Sequence, residues 1–202
     1  MSKFAKELKK RLADFKAGQG KVARVGVIEN QHYDDDTPVA YIAAVHEYGA
    51  VISVPERKAT IHRKINKKGE WTNKYGSRFV KKSQSNFDTD VTIPAHTIKI
   101  EARPFFRPTI REKSQEWGRL ASSLLKQDLD LNSVLYQIGD RASKDVVETI
   151  SKIKEPKLKK STIRARKSRY KSKVTGELDK PLVDTGQLIG AISSQVVDKS
   201  GE

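Results

Sequence analysis

The sequence predicts an α+β fold: an antiparallel β-sheet with an N-terminal helix and two central helices packed on it, plus an extended basic hairpin or loop insertion. Three observations carry this. Apolar residues recur at helical spacing in three long segments, runs rich in Val, Ile and Thr lie between them, and a polar stretch rich in Lys, Asn, Ser and Gly interrupts the first half. Of 202 residues, 36% are apolar and 32% charged. That suits a single domain over 1–202 with a modest core, a basic arm at 57–90, and surfaces buried only on assembly.

Phe4, Leu8, Leu12 and Phe15 recur at helical spacing among lysines before Gly18 and Gly20, so residues 2–17 read as an amphipathic helix. Residues 22–28 read as a buried strand and Asn30 to Asp36 as a polar loop. Thr37-Pro38 then offers an N-cap with proline at the first helical position, and Gly49 a C-terminal stop. These bound a short helix holding Val39, Ile42, Ala43 and Tyr48. Residues 50–56, 60–66 and 91–101 read as strands. Between them, residues 67–90 read as a long hairpin arm or mobile loop whose large apolar groups are Trp71, Tyr75, Phe79 and Phe87.

Glu101-Ala-Arg-Pro-Phe-Phe-Arg-Pro-Thr-Ile110 is the most informative stretch. Two prolines four apart fix φ, remove two N–H donors and push their predecessors towards extended backbone, making a stiff corner between strand and helix. At most one of Phe105 and Phe106 is expected to face the core. The bland account of the corner is prolines that stop a strand, one aromatic in the core and solvated arginines. The other is an interface anchor, because Arg and Phe bury much area per side chain.

From Thr109 the spacing of Ile110, Trp117, Leu120, Leu124 and Leu125 predicts a helix to about residue 128. Leu131, Leu135, Ile138, Ala142, Val146 and Ile150 make the stripe of a second, over 130–150. Ser161 to Arg164 can start a short basic helix, residues 171–180 form a polar loop, Asp184 can cap a turn over Thr185 to Gly190, and 191–198 reads as a closing strand.

The net charge of +15 sits in two places. Residues 57–82 and 152–180 carry +9 each, leaving the rest of the chain near −3. Clustered Lys/Arg of this kind suit contact with DNA or another polyanion, with Lys159, Lys160, Arg164, Arg166, Lys167 and Arg169 the densest group; solvated loops would show the same composition. With no cysteine, disulfides and thiolate metal sites are excluded. The apolar runs fall short of the roughly 20 residues that span a bilayer, and no signal-peptide core opens the chain, so a soluble protein without membrane partners is expected.

Catalytic patterns are thin. His32, His46, His62 and His96 are scattered, and His46 reads as a surface or interface side chain. Asp34-Asp-Asp36 with Glu56-Arg-Lys58 invites a metal-dependent nuclease reading, but an acidic run before a helix is favoured by the helix N-terminus anyway. Asp184-Thr-Gly186 lacks the second motif an aspartic protease needs. No enzymatic activity and no cofactor or metal are expected.

Val45-His-Glu-Tyr-Gly49, the proline corner, and Pro181-Leu-Val-Asp-Thr-Gly-Gln-Leu188, in this order after an N-terminal helix and a short strand, resemble the neck and tail-completion proteins of long-tailed bacteriophages, the minor tail protein Z-like family. Gly69 to Phe87 resembles an insertion seen in some members. The resemblance implies a structural virion protein, made in the bacterial host cytoplasm, that forms a ring of six copies at the head-proximal end of the tail. Its partners would be itself, a tail terminator or tail tube protein, a head connector protein, and DNA in the channel. The implied interface residues are Glu47, Tyr48, Trp71, Phe79, Arg103, Phe105, Phe106 and Arg107. A non-enzymatic nucleic-acid-binding protein using the two basic segments is the alternative.

Overall fold

The computed structural model describes residues 20–72, 79–127, 129–170 and 178–199, with the isolated helical positions 6, 9, 10, 13 and 16 in the N-terminal segment. Those five are exposed, as the polar face of an amphipathic helix should be, while the apolar positions Phe4, Leu8, Leu12 and Phe15 lie outside the described residues. The chain divides into two compact units, residues 1–50 with 101–202, and residues 51–100.

In the first unit, strand β1 (Lys21–Val27) pairs antiparallel with the last strand, β6 (Ile192–Asp198), from Lys21 opposite Asp198 to Val27 opposite Ile192. Helix α1 (Val39–Tyr48) starts one residue later than Thr37-Pro38 suggested: Pro38 is the N-cap, and having no capping side chain it offers only its carbonyl, to the N–H of Tyr41 and Ile42. Gly49 ends α1 at φ 76°, donating its N–H to the Val45 carbonyl, a backbone that glycine adopts without a Cβ clash. Helices α2 (Phe106–Lys126) and α3 (Leu131–Lys152) form the long pair the apolar stripes predicted, α3 capped by Asp130, whose carboxylate accepts from Ser133 N–H at 3.1 Å. A buried carboxylate ties the two: Asp145 of α3 accepts from Trp117 Nε1 of α2 at 2.7 Å and lies 3.3 Å from Arg141.

Helix α3 also packs on the β1–β6 pair, closely enough to crowd a side chain at Gly139, where a Cβ would stand 3.1 Å from Ser194 and 3.4 Å from Ala23. The core gathers Val39, Ala43, Phe105, Val146, Ile150, Leu182, Leu188, Ala191 and Ile192. Helices α4 (Lys160–Tyr170) and α5 (Gln187–Ala191) complete the unit. At the start of α5 Thr185 Oγ1 accepts from Gln187 N–H, and Gly186 turns the chain at φ 80°.

The second unit holds β2 (Ala50–Val54), β3 (Arg57–Arg63), β4 (Phe87–Ile93) and β5 (His96–Ile100), with β2 hydrogen-bonded to β5 and β3 antiparallel to β4. The α+β class holds, but the strands make three two-stranded sheets where the sequence suggested one. Pro94 helps explain the break: it lies between β4 and β5 in what reads as one run, and without an N–H it cannot continue a ladder. Part of the arm folds on itself. Asn66 turns the chain by accepting at Oδ1 from the N–H of Lys68 and Glu70, Trp71 meets Phe87 edge-on at 5.8 Å between centroids, and Arg63 stacks over Trp71 at 5.2 Å. Tyr75 lies outside the described residues.

Two glycines on the long helices should respond in opposite ways. Gly139→Leu is expected to cost about 2 kcal/mol or more through overpacking against β1 and β6. Gly118→Ala, on α2 with nothing within 4 Å of the new methyl, should gain roughly 0.5–1 kcal/mol from helix propensity. Urea denaturation of both variants measures the two shifts.

Candidate functional site: the proline corner and the basic segment

The corner is organised by Glu47. Its carboxylate, 3% exposed, accepts from the N–H of Phe105 at 2.7 Å, Phe106 at 2.9 Å and Arg107 at 3.1 Å, and from Arg107 Nε at 2.9 Å. Arg107 also donates to the Glu47 carbonyl, closing a two-point clasp on the end of α1. The first helical N–H groups of α2 have no acceptor within the helix. Here three of them meet one carboxylate, and the fourth position is Pro108, which has no N–H to satisfy. Helix α2 thus begins at Phe106 and not at Thr109, because the acceptor that starts it comes from a residue almost sixty positions earlier.

Burial alone would push the Glu47 carboxyl up. The donors from Phe105, Phe106 and Arg107 more than reverse this and hold it below the ordinary glutamate value. Thr109 adds a second lock, its hydroxyl 2.6 Å from both the Phe105 carbonyl and the Thr149 hydroxyl of α3.

Both phenylalanines are absorbed by the subunit, contrary to the expectation that at most one would face the core. Phe105 is wholly buried, and Phe106, half-buried, packs on the core with its ring centroid 4.8 Å from that of Phe105. The bend at Phe105 (φ −129°, ψ −29°) aims both rings to the same side. Arg103 is buried too: its N–H donates to the His46 carbonyl and its Nε to the Pro156 carbonyl at 3.0 Å. His46 is half-buried; burial, and secondarily the Arg103 charge, pushes its imidazole pKa down. Exposed here are Tyr48 at the end of α1, at 71%, with the Arg107 guanidinium 5.1 Å over its ring, and Ile110. In the second unit Phe79 is exposed at 72% and Trp71 partly so.

The basic segment divides likewise. Lys159, Lys160, Arg164 and Lys167 are exposed, the last three at i, i+4 and i+7 along one stripe of α4. Arg166 is a correction: only 7% exposed, it points its guanidinium at the loop 178–183 and donates from one nitrogen to the carbonyls of Leu178, Lys180 and Val183. Those bonds hold Leu182 at φ 62°, a left-handed backbone that a branched side chain rarely adopts. Arg169 pairs with Asp184 at 2.8 Å. A helix of three-to-four periodicity must turn some cations inward, which a count along the chain does not show.

Among the described residues, no three His, Asp or Glu side chains gather as a metal-holding group, and no helix is long and apolar enough to cross a membrane. Asp34 to Asp36 and Glu56 belong to different units.

Because the folded-state pKa of Glu47 is depressed, its contribution is complete above the ordinary glutamate value and is lost as pH falls through the lower, folded one. Glu47→Gln should therefore cost about 3 kcal/mol at pH 7, since it leaves buried donors poorly matched. It should also flatten the loss of stability that the unsubstituted protein shows below about pH 4.5. Denaturant midpoints at several pH values test both parts. By the same measure Arg166→Gln should cost about 3 kcal/mol and Lys167→Gln less than about 0.5 kcal/mol.

Comparison with family models, with curated proteins and with solved structures gives no match.

Proposed function

We propose that this chain is a non-catalytic structural subunit that assembles into a ring as a phage neck or tail-completion protein, joining the tail to the head connector around the DNA channel. The observation that carries the assembly part of this reading is the surface of the second unit. Among the described residues its strands pair only two by two, though Val80 N–H donates to the His62 carbonyl on β3, and around them Val51, Ile52, Ile98, Phe79 and Phe87 are exposed. An isolated two-stranded sheet is marginal in water, and a free apolar edge is a template for pairing with another chain. A second copy is the natural partner for such an edge. In the first unit, exposed Tyr41, Tyr48 and Ile110 add aromatic and aliphatic area of the kind that anchors interfaces. The tail-completion assignment itself leans on the resemblance of the three motifs.

The stripe of Lys160, Arg164 and Lys167 favours a second reading, in which the chain contacts nucleic acid directly. Within a ring the two are compatible, since phosphate contacts hold DNA without reading its sequence.

The assembly reading predicts rings in negative-stain images of the purified protein. Val51→Asp and Ile98→Asp should each leave the circular dichroism spectrum unchanged while abolishing rings, as loss of a central anchor costs about 2 kcal/mol or more per interface. Rings that persist in both variants would remove the second unit from the interface. Converting Lys160, Arg164 and Lys167 together to Gln should weaken binding of short duplex DNA and flatten its dependence on salt; unchanged binding would leave the stripe as a solvated face.

A further inference from the structure

A ring is built head to tail, so each copy must offer two different faces that complement each other. The exposed apolar groups of the second unit supply one of them. The outward side of α1 has the properties required of the other. Its exposed residues are Ala40, Tyr41, Ala44 and Tyr48, which share one helix face by their three- and four-residue spacing, and none of them is charged. Glu47, the one carboxylate of this helix, is turned inward to the corner. A solvated helix keeps charged groups on its outer face, and one that is apolar all round is normally covered. Tyr41 and Tyr48 are nevertheless 53% and 71% exposed. The Arg107 guanidinium stacked on Tyr48 carries the patch onto α2, where Ile110 stands one turn further along.

Charge indicates what covers this face. Residues 25–50 contain Glu29, Asp34, Asp35, Asp36 and Glu47 and no Lys or Arg, in a chain where Lys and Arg fill 40 of 202 positions. Asp34 to Asp36 are exposed and lead directly into α1, so the aromatic face has an acidic margin. The cations nearest to it are already engaged, Arg107 with Glu47 and Arg169 with Asp184. Residues 51–100 have the opposite composition, eleven Lys/Arg against four Asp/Glu. Among them Lys99 follows exposed Ile98 on β5, and Arg57 and Lys58 open β3, all three exposed.

Resting on the assembly reading, we infer that the α1 face of one copy docks on the second unit of the next, with Tyr41, Ala44 and Tyr48 against the exposed Val51, Ile52 and Ile98 of β2 and β5, and Asp34 to Asp36 against the cations around them. Aromatic and aliphatic groups at the centre with complementary charge at the rim is the anatomy of a specific interface, in which the charge fixes partner and register. The small side chains of Ala40 and Ala44 let the neighbouring chain approach the helix closely.

The test mixes two full-length variants, each with one face spoiled. Ala44→Arg places a long cation in the middle of the α1 face at an exposed position; Val51→Asp with Ile98→Asp spoils the second unit. Circular dichroism checks that both are folded, and sedimentation velocity at low salt reads their assembly. Neither should assemble alone, and an equimolar mixture should give a one-to-one heterodimer and nothing larger, because only one intact pair of faces remains. Tyr41→Ser, carried by the copy that supplies α1, should weaken that heterodimer about tenfold. Replacing Asp34, Asp35 and Asp36 together with Asn should weaken it several-fold at low salt, with the difference fading as salt rises. Rings formed by the Ala44→Arg protein alone would overturn the α1 assignment and leave the ring reading standing. Open chains of the unsubstituted protein, together with a heterodimer from the mixture, would keep the pair of faces and remove the ring. No heterodimer, undiminished binding by the Asn variant at low salt, or assembly that survives Val51→Asp with Ile98→Asp but not Ala44→Arg would mean that another segment or another protein covers α1, and would overturn the pairing.

Discussion

One buried carboxylate governs the first unit. Glu47 sits on the last turn of α1, and its two oxygens satisfy the otherwise unpaired start of α2, so the relative placement of two helices depends on a single side chain. Desolvating a carboxylate is costly. The cost is offset only because the acceptor faces a helix N-terminus and a guanidinium at once, where each hydrogen bond is assisted by charge. Everything the corner positions follows: Phe105 enters the core, Thr109 reaches α3, and Arg103 is drawn under the turn towards Pro156.

The prolines acquire a different meaning in this setting. Pro104 restricts the entry to the bend, and Pro108 occupies the one first-turn position that Glu47 does not reach, where a missing N–H costs nothing. The corner's composition, two aromatics and two arginines, is explained mostly within the subunit. What it presents to the surface includes Arg107, stacked on Tyr48 of α1, and Ile110.

Charge is sorted in the same way. Arg166 and Arg169 serve the closing loop, whereas Lys160, Arg164 and Lys167 face outward. A buried arginine that spends three hydrogen bonds on carbonyls is not a surface charge, so the exposed charge of this segment is smaller than the sequence count implies. The described residues of the second unit show the opposite balance: little apolar burial, strands paired only two by two, and exposed Val51, Ile52, Ile98 and Phe79. Such a surface is stable in contact with another chain more readily than alone.

The sequence by itself determined the local elements. Helical spacing located α2 and α3, alternation and β-branched runs located β1 and β6, Gly49 stopped α1, and zero cysteines excluded disulfides, because these depend on neighbours within a few residues. Tertiary structure decided the partners. That Glu47 caps α2, that Arg166 turns inward, that both corner phenylalanines are absorbed and that the strands pair as three separate ladders all depend on residues tens of positions apart. The motif Val45-His-Glu-Tyr-Gly49 and the corner were both visible as conspicuous segments. Their hydrogen bonds to each other were not, since a carboxylate and a set of free N–H groups carry no mark of having been brought together until the chain between them has folded.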